Sequence, residues 1–199
     1  MSGRFIVLEG GEGSGKSTQA RLLADDLDAL LTRQPGGTPA GSAIRELLLD
    51  PSTTLEPRAE ALLMAADRAE HVASVIRPAL DAGVDVVCDR YAYSSVAYQG
   101  YGRGLPPDEV ARLSGWATQD LWPDLVVLLV VDDGVAAARL DRELDRFEQA
   151  GPDFHRRVAD GFAALAEEDP ARFVVVDGTG SVEEVAARIR SVVEARLPS

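Results

Sequence analysis

The stretch Phe5-Ile-Val-Leu-Glu9-Gly-Gly-Glu-Gly-Ser-Gly15-Lys16-Ser17-Thr18 decides the fold. An apolar run of strand length leads into a glycine-rich turn fitting G-x-x-x-x-G-K-[ST], and Ser17-Thr-Gln-Ala-Arg-Leu-Leu-Ala24 then opens a helix. Strand, loop and helix in that order are the context a phosphate-binding loop requires. Glycines let backbone N–H groups turn inward around an anion, and the positive end of the helix dipole falls on the same point. Gly10, Gly11, Glu12, Gly13, Ser14, Gly15, Lys16, Ser17 and Thr18 are therefore the candidate ATP-binding residues. In such a loop the lysine reaches between the outer phosphates and takes part in catalysis, and the Ser17 hydroxyl ligates a magnesium ion. Lys16 is also the only lysine of the chain, which otherwise relies on arginine for positive charge.

At 199 residues the sequence is read as a single domain, 1–199, able to bury a substantial core. A formal charge of −13 disfavours a nucleic-acid polymer as partner, because polymer binding needs an extended basic surface, whereas a small phosphorylated substrate needs only a local arginine cluster. One cysteine, Cys88, rules out an internal disulfide framework, and its apolar setting reads as packed strand. The sequence carries no charged-then-apolar leader and no apolar run near the roughly 18 residues of a membrane span, so the expectation is a cytoplasmic protein without membrane association.

Downstream, a helix is expected over about 16–27 and a strand over Asp28–Arg33, ending in the turn-rich Gln34-Pro-Gly-Gly-Thr-Pro39. Ala40–Leu49 reads as a helix, and helical periodicity continues from Leu55 to Gly83, with a kink expected at Pro78. Val84–Cys88 is the third expected strand, followed by a helical stretch over Tyr91–Tyr101 and a helix from Pro107 to about Gln119. Leu125–Val131, seven apolar residues in a row, reads as a strand buried on both faces. A helix from Gly134 is expected to carry Arg139 and Arg142, with helices over Phe154–Glu168 and Val182–Leu197 flanking a last strand, Phe173–Asp177.

Strands alternating with helices imply an α/β fold, a P-loop NTPase with a five-stranded parallel sheet and helices on both faces. Ligands then sit at the carboxyl ends of the strands, where Gly10, Arg33 and Asp89 should converge. A GTPase switch would need an Asn-Lys-x-Asp element, and the chain has no asparagine and no second lysine. Arginines fall in two groups, Arg33, Arg45, Arg68 and Arg90 before the middle of the chain and Arg139, Arg142 and Arg146 after it. That division suits a kinase, with one set gripping an acceptor phosphate and the other closing over the transferred group.

Glu9-Gly-Gly-Glu-Gly-Ser-Gly-Lys-Ser-Thr18, Thr32-Arg-Gln-Pro-Gly-Gly37, Ala65-Ala-Asp-Arg68, Asp89-Arg-Tyr91, Ser94-Ser95, Ala97-Tyr-Gln-Gly100, Arg103-Gly104, Pro123-Asp124 and Leu144-Asp-Arg-Phe-Glu148 resemble, in order and spacing, the bacterial thymidylate kinases. The resemblance covers nearly the whole chain. It implies ATP- and magnesium-dependent phosphorylation of dTMP to dTDP in a nucleoside-monophosphate-kinase fold that is usually a homodimer. By resemblance, Glu12 accepts from the sugar 3′-hydroxyl, Arg33, Arg45 and Arg90 hold the acceptor phosphate, and Arg68 and Gln99 read the base. Ser94, Ser95 and Met64 complete the base site, Tyr98 crowds the 2′ carbon, and Asp89 joins Ser17 in orienting magnesium. A lid over about 139–153 would supply catalytic arginines from among Arg139, Arg142 and Arg146, alongside Lys16, Asp89 and Arg90.

Several positions depart from the family pattern. Gln34 stands where many relatives carry Glu, which removes a charge beside the expected magnesium and phosphate site. Met64 stands where many carry Phe, and a thioether packs on a base face without ring stacking. Asp67 replaces a common Ser. Two alternatives accompany the main reading: a kinase for another pyrimidine or modified nucleoside monophosphate, and a non-catalytic ATP-binding module.

Overall fold

The structure is a computed structural model that describes residues 2–139 and 145–197. Every residue of β1 (Phe5–Gly10) is buried, because the strand occupies the middle of the sheet. Among the described residues five strands form one parallel sheet in the order β2-β3-β1-β4-β5, with β2 at Leu30–Arg33, β3 at Val86–Asp89, β4 at Leu125–Val130 and β5 at Phe173–Asp177. Register places Leu8 opposite Asp89, and Arg33 opposite Asp89 from the other side, so the carboxyl ends of β1, β2 and β3 meet as the sequence implies.

Both faces of this sheet are covered, and strand alternation sorts the core between them. Ile6, Leu8, Val127 and Leu129 point to one side, under α1 (Lys16–Leu27) and α9 (Val182–Arg196). Phe5, Val7 and Val86 point to the other, toward Val72 and Ile76. On that second side Val126, Leu128 and Phe173 pack with Leu48 of α2 (Pro39–Leu49) and with Phe154, Val158 and Phe162 of α8 (Pro152–Glu168). Cys88 is buried within this core, as its apolar setting predicts. The Pro123-Asp124 pair serves the fold, since Asp124 Oδ2 accepts the Phe5 N–H at 2.7 Å and so pins the start of β1 to the start of β4.

Local expectations are corrected at several points. Asp28 is not strand but the left-handed C-cap of α1, at φ 51°, so β2 starts at Leu30. Val84 N donates to Ala79 O and closes the preceding helix, which delays β3 to Val86. Pro78 does not interrupt the chain direction as a lone kink: α3 (Pro57–His71) widens into a π turn at Val72–Ile76 before α4 (Arg77–Asp81). The wider turn accommodates the ring and missing N–H of proline. Likewise only Ala92–Ser95 (α5) is α-helical in the Tyr91–Tyr101 stretch, and Val96–Gly102 is a π turn. α6 covers Pro107–Thr118, and α7 (Asp133–Ala138) ends before Arg139, whose N–H closes a turn on Ala136 O.

Candidate active site

The glycines of the loop after β1 are there for backbone reasons. Gly10 has φ 144°, and a Cβ on it would sit 2.3 Å from Leu129 O of β4; Gly13 and Gly15 are at φ 69° and 90°. Gly15 offers no side-chain cap to α1, which leaves the first helical amides open to an anion. The buried Lys16 ammonium donates to Gly11 O at 2.6 Å and Ser14 Oγ at 3.2 Å. Burial and the nearby Arg90 guanidinium lower its pKa to about 8, against the pull of Glu12, Asp89 and Glu9.

Glu12 is the junction between this loop and the next strand end. Its Oε1 accepts from Arg90 Nη2 at 2.5 Å and from Tyr98 OH at 2.8 Å. Burial pushes the carboxyl up, but Arg90 and Lys16 outweigh it and bring Glu12 to about 2. Burial opposes the charge of Arg90 as well, and Glu12, Tyr98 and Asp89 more than offset that, holding the guanidinium above its usual range. Arg90 Nη1 donates to Gly10 O and Ser94 Oγ, and the guanidinium lies 5.0 Å over the Tyr98 ring. Its own backbone is left-handed, φ 67°.

Ser17 Oγ donates to Asp89 Oδ2 at 2.5 Å, and Asp89 Oδ1 is buried with no partner among the described residues. A hydroxyl and a carboxylate with an open lone pair form a hard-oxygen donor set, which fits a magnesium ion that keeps most of its other positions for water and phosphate.

A cleft of about 890 Å³ opens beside this point. Glu12, Lys16, Ser17 and Asp89 form its floor, and Arg33, Arg45 and Arg90 line it as a cationic cluster. Arg45 is anchored by donating to Pro35 O at 2.9 Å, and burial together with the Arg33 charge lowers its pKa. Met64, Arg68, Ser94, Ser95, Tyr98 and Gln99 complete the lining of the cleft. A second cleft, about 1370 Å³, runs along the other side of the loop past Gly13, Ser14, Gly15 and Thr18 toward Gly178 and Val182. Glu12, Lys16 and Ser17 belong to both.

The arginines expected of a lid separate. Arg139 lines the second cleft and reaches Ser14 O at 3.4 Å and Gly178 O at 3.1 Å. Arg146 instead donates to Leu48 O at 2.7 Å and pairs with Glu60 Oε2 at 2.6 Å. Arg142 lies outside the described residues.

Sequence reading missed the groups that hold these residues in place. Glu9, fully buried at the end of β1, accepts from Tyr91 N at 2.9 Å, Ser94 N at 3.0 Å and Ser94 Oγ at 2.5 Å, and burial raises its pKa. Glu60, also fully buried, accepts from Gln99 Nε2 at 2.9 Å, Arg103 Nε at 3.2 Å and Arg146. His71, Gln34 and Thr32 form a chain behind Arg68. Arg68 Nε can only donate, so the Gln34 atom facing it at 3.0 Å is Oε1. Gln34 Nε2 therefore donates to His71 Nδ1 at 3.0 Å, and His71 Nε2–H donates to Thr32 Oγ1 at 2.6 Å. Both ends of the Gln34 amide are thus engaged away from the Ser17–Asp89 pair. Arg68 also donates to Ser95 Oγ at 2.8 Å and Ser114 Oγ at 3.2 Å. Asp67 accepts the Gly36 N–H at 2.8 Å, fixing the turn that follows Arg33. The signal for these supports is periodicity: Glu60, Met64 and Arg68 recur every fourth residue on one face of α3, and Glu9 is a carboxylate ending an otherwise apolar strand.

Two clefts sharing one phosphate loop, at the carboxyl ends of a parallel sheet, define a P-loop phosphotransferase of nucleoside-monophosphate-kinase type. The family model described as Thymidylate kinase matches residues 8–189. A thymidylate kinase of Clavibacter michiganensis subsp. michiganensis is 51% identical over 205 residues, covering 99% of this chain and 97% of that protein. One from Synechococcus sp. strain JA-2-3B'a(2-13) is 53% identical over 201 residues, covering 98% and 96%. The crystal structure of thymidylate kinase from Ehrlichia chaffeensis superposes with a TM-score of 0.82 at 32% identity, covering 97% of this chain and all of that one. The chain belongs to the thymidylate kinase family.

The bonding around His71 requires a neutral ring, and burial with the nearby Arg68 charge lowers its pKa to about 4. Between that value and the ordinary 6.5 the unfolded chain binds a proton that the folded chain refuses, so stability is lost as pH falls through this window. An NMR titration of the His71 ring should give a midpoint near 4, and a midpoint near 6.5 would contradict the hydrogen-bond assignment.

Proposed function

We propose that the protein transfers the γ-phosphoryl group of ATP to the 5′-phosphate of dTMP, giving ADP and dTDP, with magnesium. The observation that carries this reading is the sharing of Glu12, Lys16 and Ser17 by the two clefts, which gives a donor and an acceptor nucleotide a common meeting point. The loop amides and Lys16 hold the donor phosphates. Ser17 and Asp89 would hold the magnesium ion, which would supply neutralisation of charge on the phosphate oxygens. Arg33, Arg45 and Arg90 grip the acceptor phosphate, and their mutual repulsion is relieved when a dianion enters. Arg68 donates to a base carbonyl and Gln99 accepts from the ring N3–H, with Met64 packed against the base. Glu12 and Tyr98 meet the deoxyribose.

Arg139, placed over the loop carbonyls, is well sited to follow the donor phosphates, and Arg142 remains a candidate to stabilise charge in transfer. Arg146, tied to Glu60, would have to leave that pair to act on phosphate. The whole of 1–199 is read as one kinase domain with its phosphate loop at 10–17 and its lid over about 139–153. Nucleotide substrates and a buried, reduced Cys88 suit the cytoplasm, and no described helix is long and apolar enough to cross a membrane. A homodimer is supported by Trp116 of α6, 81% exposed, and Leu62 of the adjoining α3, 58% exposed. Exposed apolar side chains of this size on two packed helices are what an association surface would cover.

ADP release from ATP and magnesium should be stimulated strongly by dTMP and far less by dCMP, UMP, AMP or GMP. Lys16→Ala should cut that turnover by at least about a hundredfold, and chelation of magnesium should abolish it. ATP binding without stimulation by any acceptor would overturn the assignment in favour of a binding module. In sedimentation, the native chain should run as a dimer and Trp116→Glu as a monomer, whereas a dimer that survives the substitution removes α6 from the interface.

A further inference from the structure

Gln99 is fully buried, and the two ends of its amide have unequal surroundings. Nε2 donates to Glu60 Oε1 at 2.9 Å, while Oε1 has no partner among the described residues. A buried acceptor left unpaired carries a desolvation cost, so such an arrangement persists only where something holds it. What holds it is Glu60. Two guanidinium groups also converge on this carboxylate, Arg146 on Oε2 and Arg103 across both oxygens. Arg146 stacks 4.6 Å over Phe147 and Arg103 stacks 4.6 Å over Phe154, which fixes both guanidiniums and, through them, the carboxylate. A carboxylate paired with two guanidiniums offers acceptors only, so the Gln99 atom that meets it must be the NH2 group.

We propose that Glu60 is a specificity-determining positioning residue: it locks the Gln99 amide with its carbonyl oxygen available to the acceptor base, so that the site takes a pyrimidine bearing N3–H and turns away one bearing an N3 lone pair. Thymine and uracil present a hydrogen at N3. Cytosine presents a lone pair there, which meets the Gln99 oxygen as acceptor against acceptor. A flipped amide would reverse the preference, and Glu60 forbids the flip. The inference rests on the reading of Gln99 as a base contact. Glu60 touches no part of the substrate itself, and its effect is exerted through Gln99. Arg68 supplies a separate discrimination, because its donors face a carbonyl better than the cytosine amino group.

The substitution that tests this is Glu60→Gln, which restores a side chain able to accept or donate and so lets Gln99 turn over. The ratio of kcat/KM for dTMP over dCMP should fall by about tenfold or more, mainly through the acceptor KM, with part of the preference kept by Arg68. The ratio for dTMP over dUMP reads the 5-methyl group, not N3, and should stay where it is, as should the KM for ATP. Should the lone substitution fail to fold, Glu60→Gln with Arg103→Gln keeps the charge of the cluster and answers the same question. Loss of activity toward dTMP and dCMP in equal proportion, or an unchanged ratio, would overturn the proposal. Gln99→Met separates this failure from failure of the underlying reading. If Gln99→Met leaves the dTMP to dCMP ratio untouched, Gln99 does not read the base at all. If it collapses the ratio while Glu60→Gln does not, Gln99 reads the base but Glu60 does not set it.

Discussion

The ion pair between Glu12 and Arg90 joins the phosphate loop to the end of the neighbouring strand, and the rest of the site is arranged on it. A carboxylate in a loop built for polyphosphate would repel its ligand if left alone. Paired with Arg90 and bonded to Tyr98, it instead fixes the loop relative to β3 and to the π turn that carries Gln99. Arg90 adopts a left-handed backbone to reach it, an uncommon conformation for a side chain of this size. Buried pairs contribute little net stability when the desolvation of both ions is counted, so this one is better understood as setting geometry than as holding the fold together.

From that pair two supports extend outward. Glu9, at the end of β1, gathers the backbone of Tyr91 and the side chain of Ser94, and so aims the segment after β3. On the other side, α3 threads Glu60, Met64 and Arg68 along one face, with the Thr32–His71–Gln34 chain behind Arg68. Ser94 and Gln99 are thus held by buried carboxylates, Glu9 and Glu60, that do not themselves line the cleft. A fixed site of this kind is ordered before its substrates arrive, and little reorganisation remains for the reacting state.

The sheet, its parallel order and the phosphate loop were legible because strand burial and glycine spacing are written directly in residue type. Leu125–Val131 reads as a doubly covered strand, and Leu125–Leu129 are buried, but the strand ends at Val130, which is half exposed. Element ends were less legible, because Asp28 and Val84 are decided by left-handed caps and closing hydrogen bonds that residue patterns do not display. The π turns before Pro78 and around Gln99 were not readable at all, since α and π periodicity are indistinguishable over one turn. In the cleft, Arg33, Arg45 and Arg68 were legible as part of an arginine group and Met64, Ser95 and Gln99 only by resemblance, while Glu9, Glu60 and His71 escaped notice. Their roles depend on which donors surround them in space, and Gln34 shows the same limit: its amide turns toward Arg68 and His71, a partner choice that sequence spacing does not reveal.

On the proposed function, the two clefts are halves of one reaction site meeting at Glu12, Lys16 and Ser17. The most direct test is a conjugate of adenosine and thymidine joined 5′ to 5′ through a short polyphosphate, titrated against protein loaded with ADP or with dTMP. A single conjugate per chain should displace both nucleotides, binding tighter than either by at least about a hundredfold because its halves are tethered. Displacement of one nucleotide only, or binding of two conjugates per chain, would contradict it.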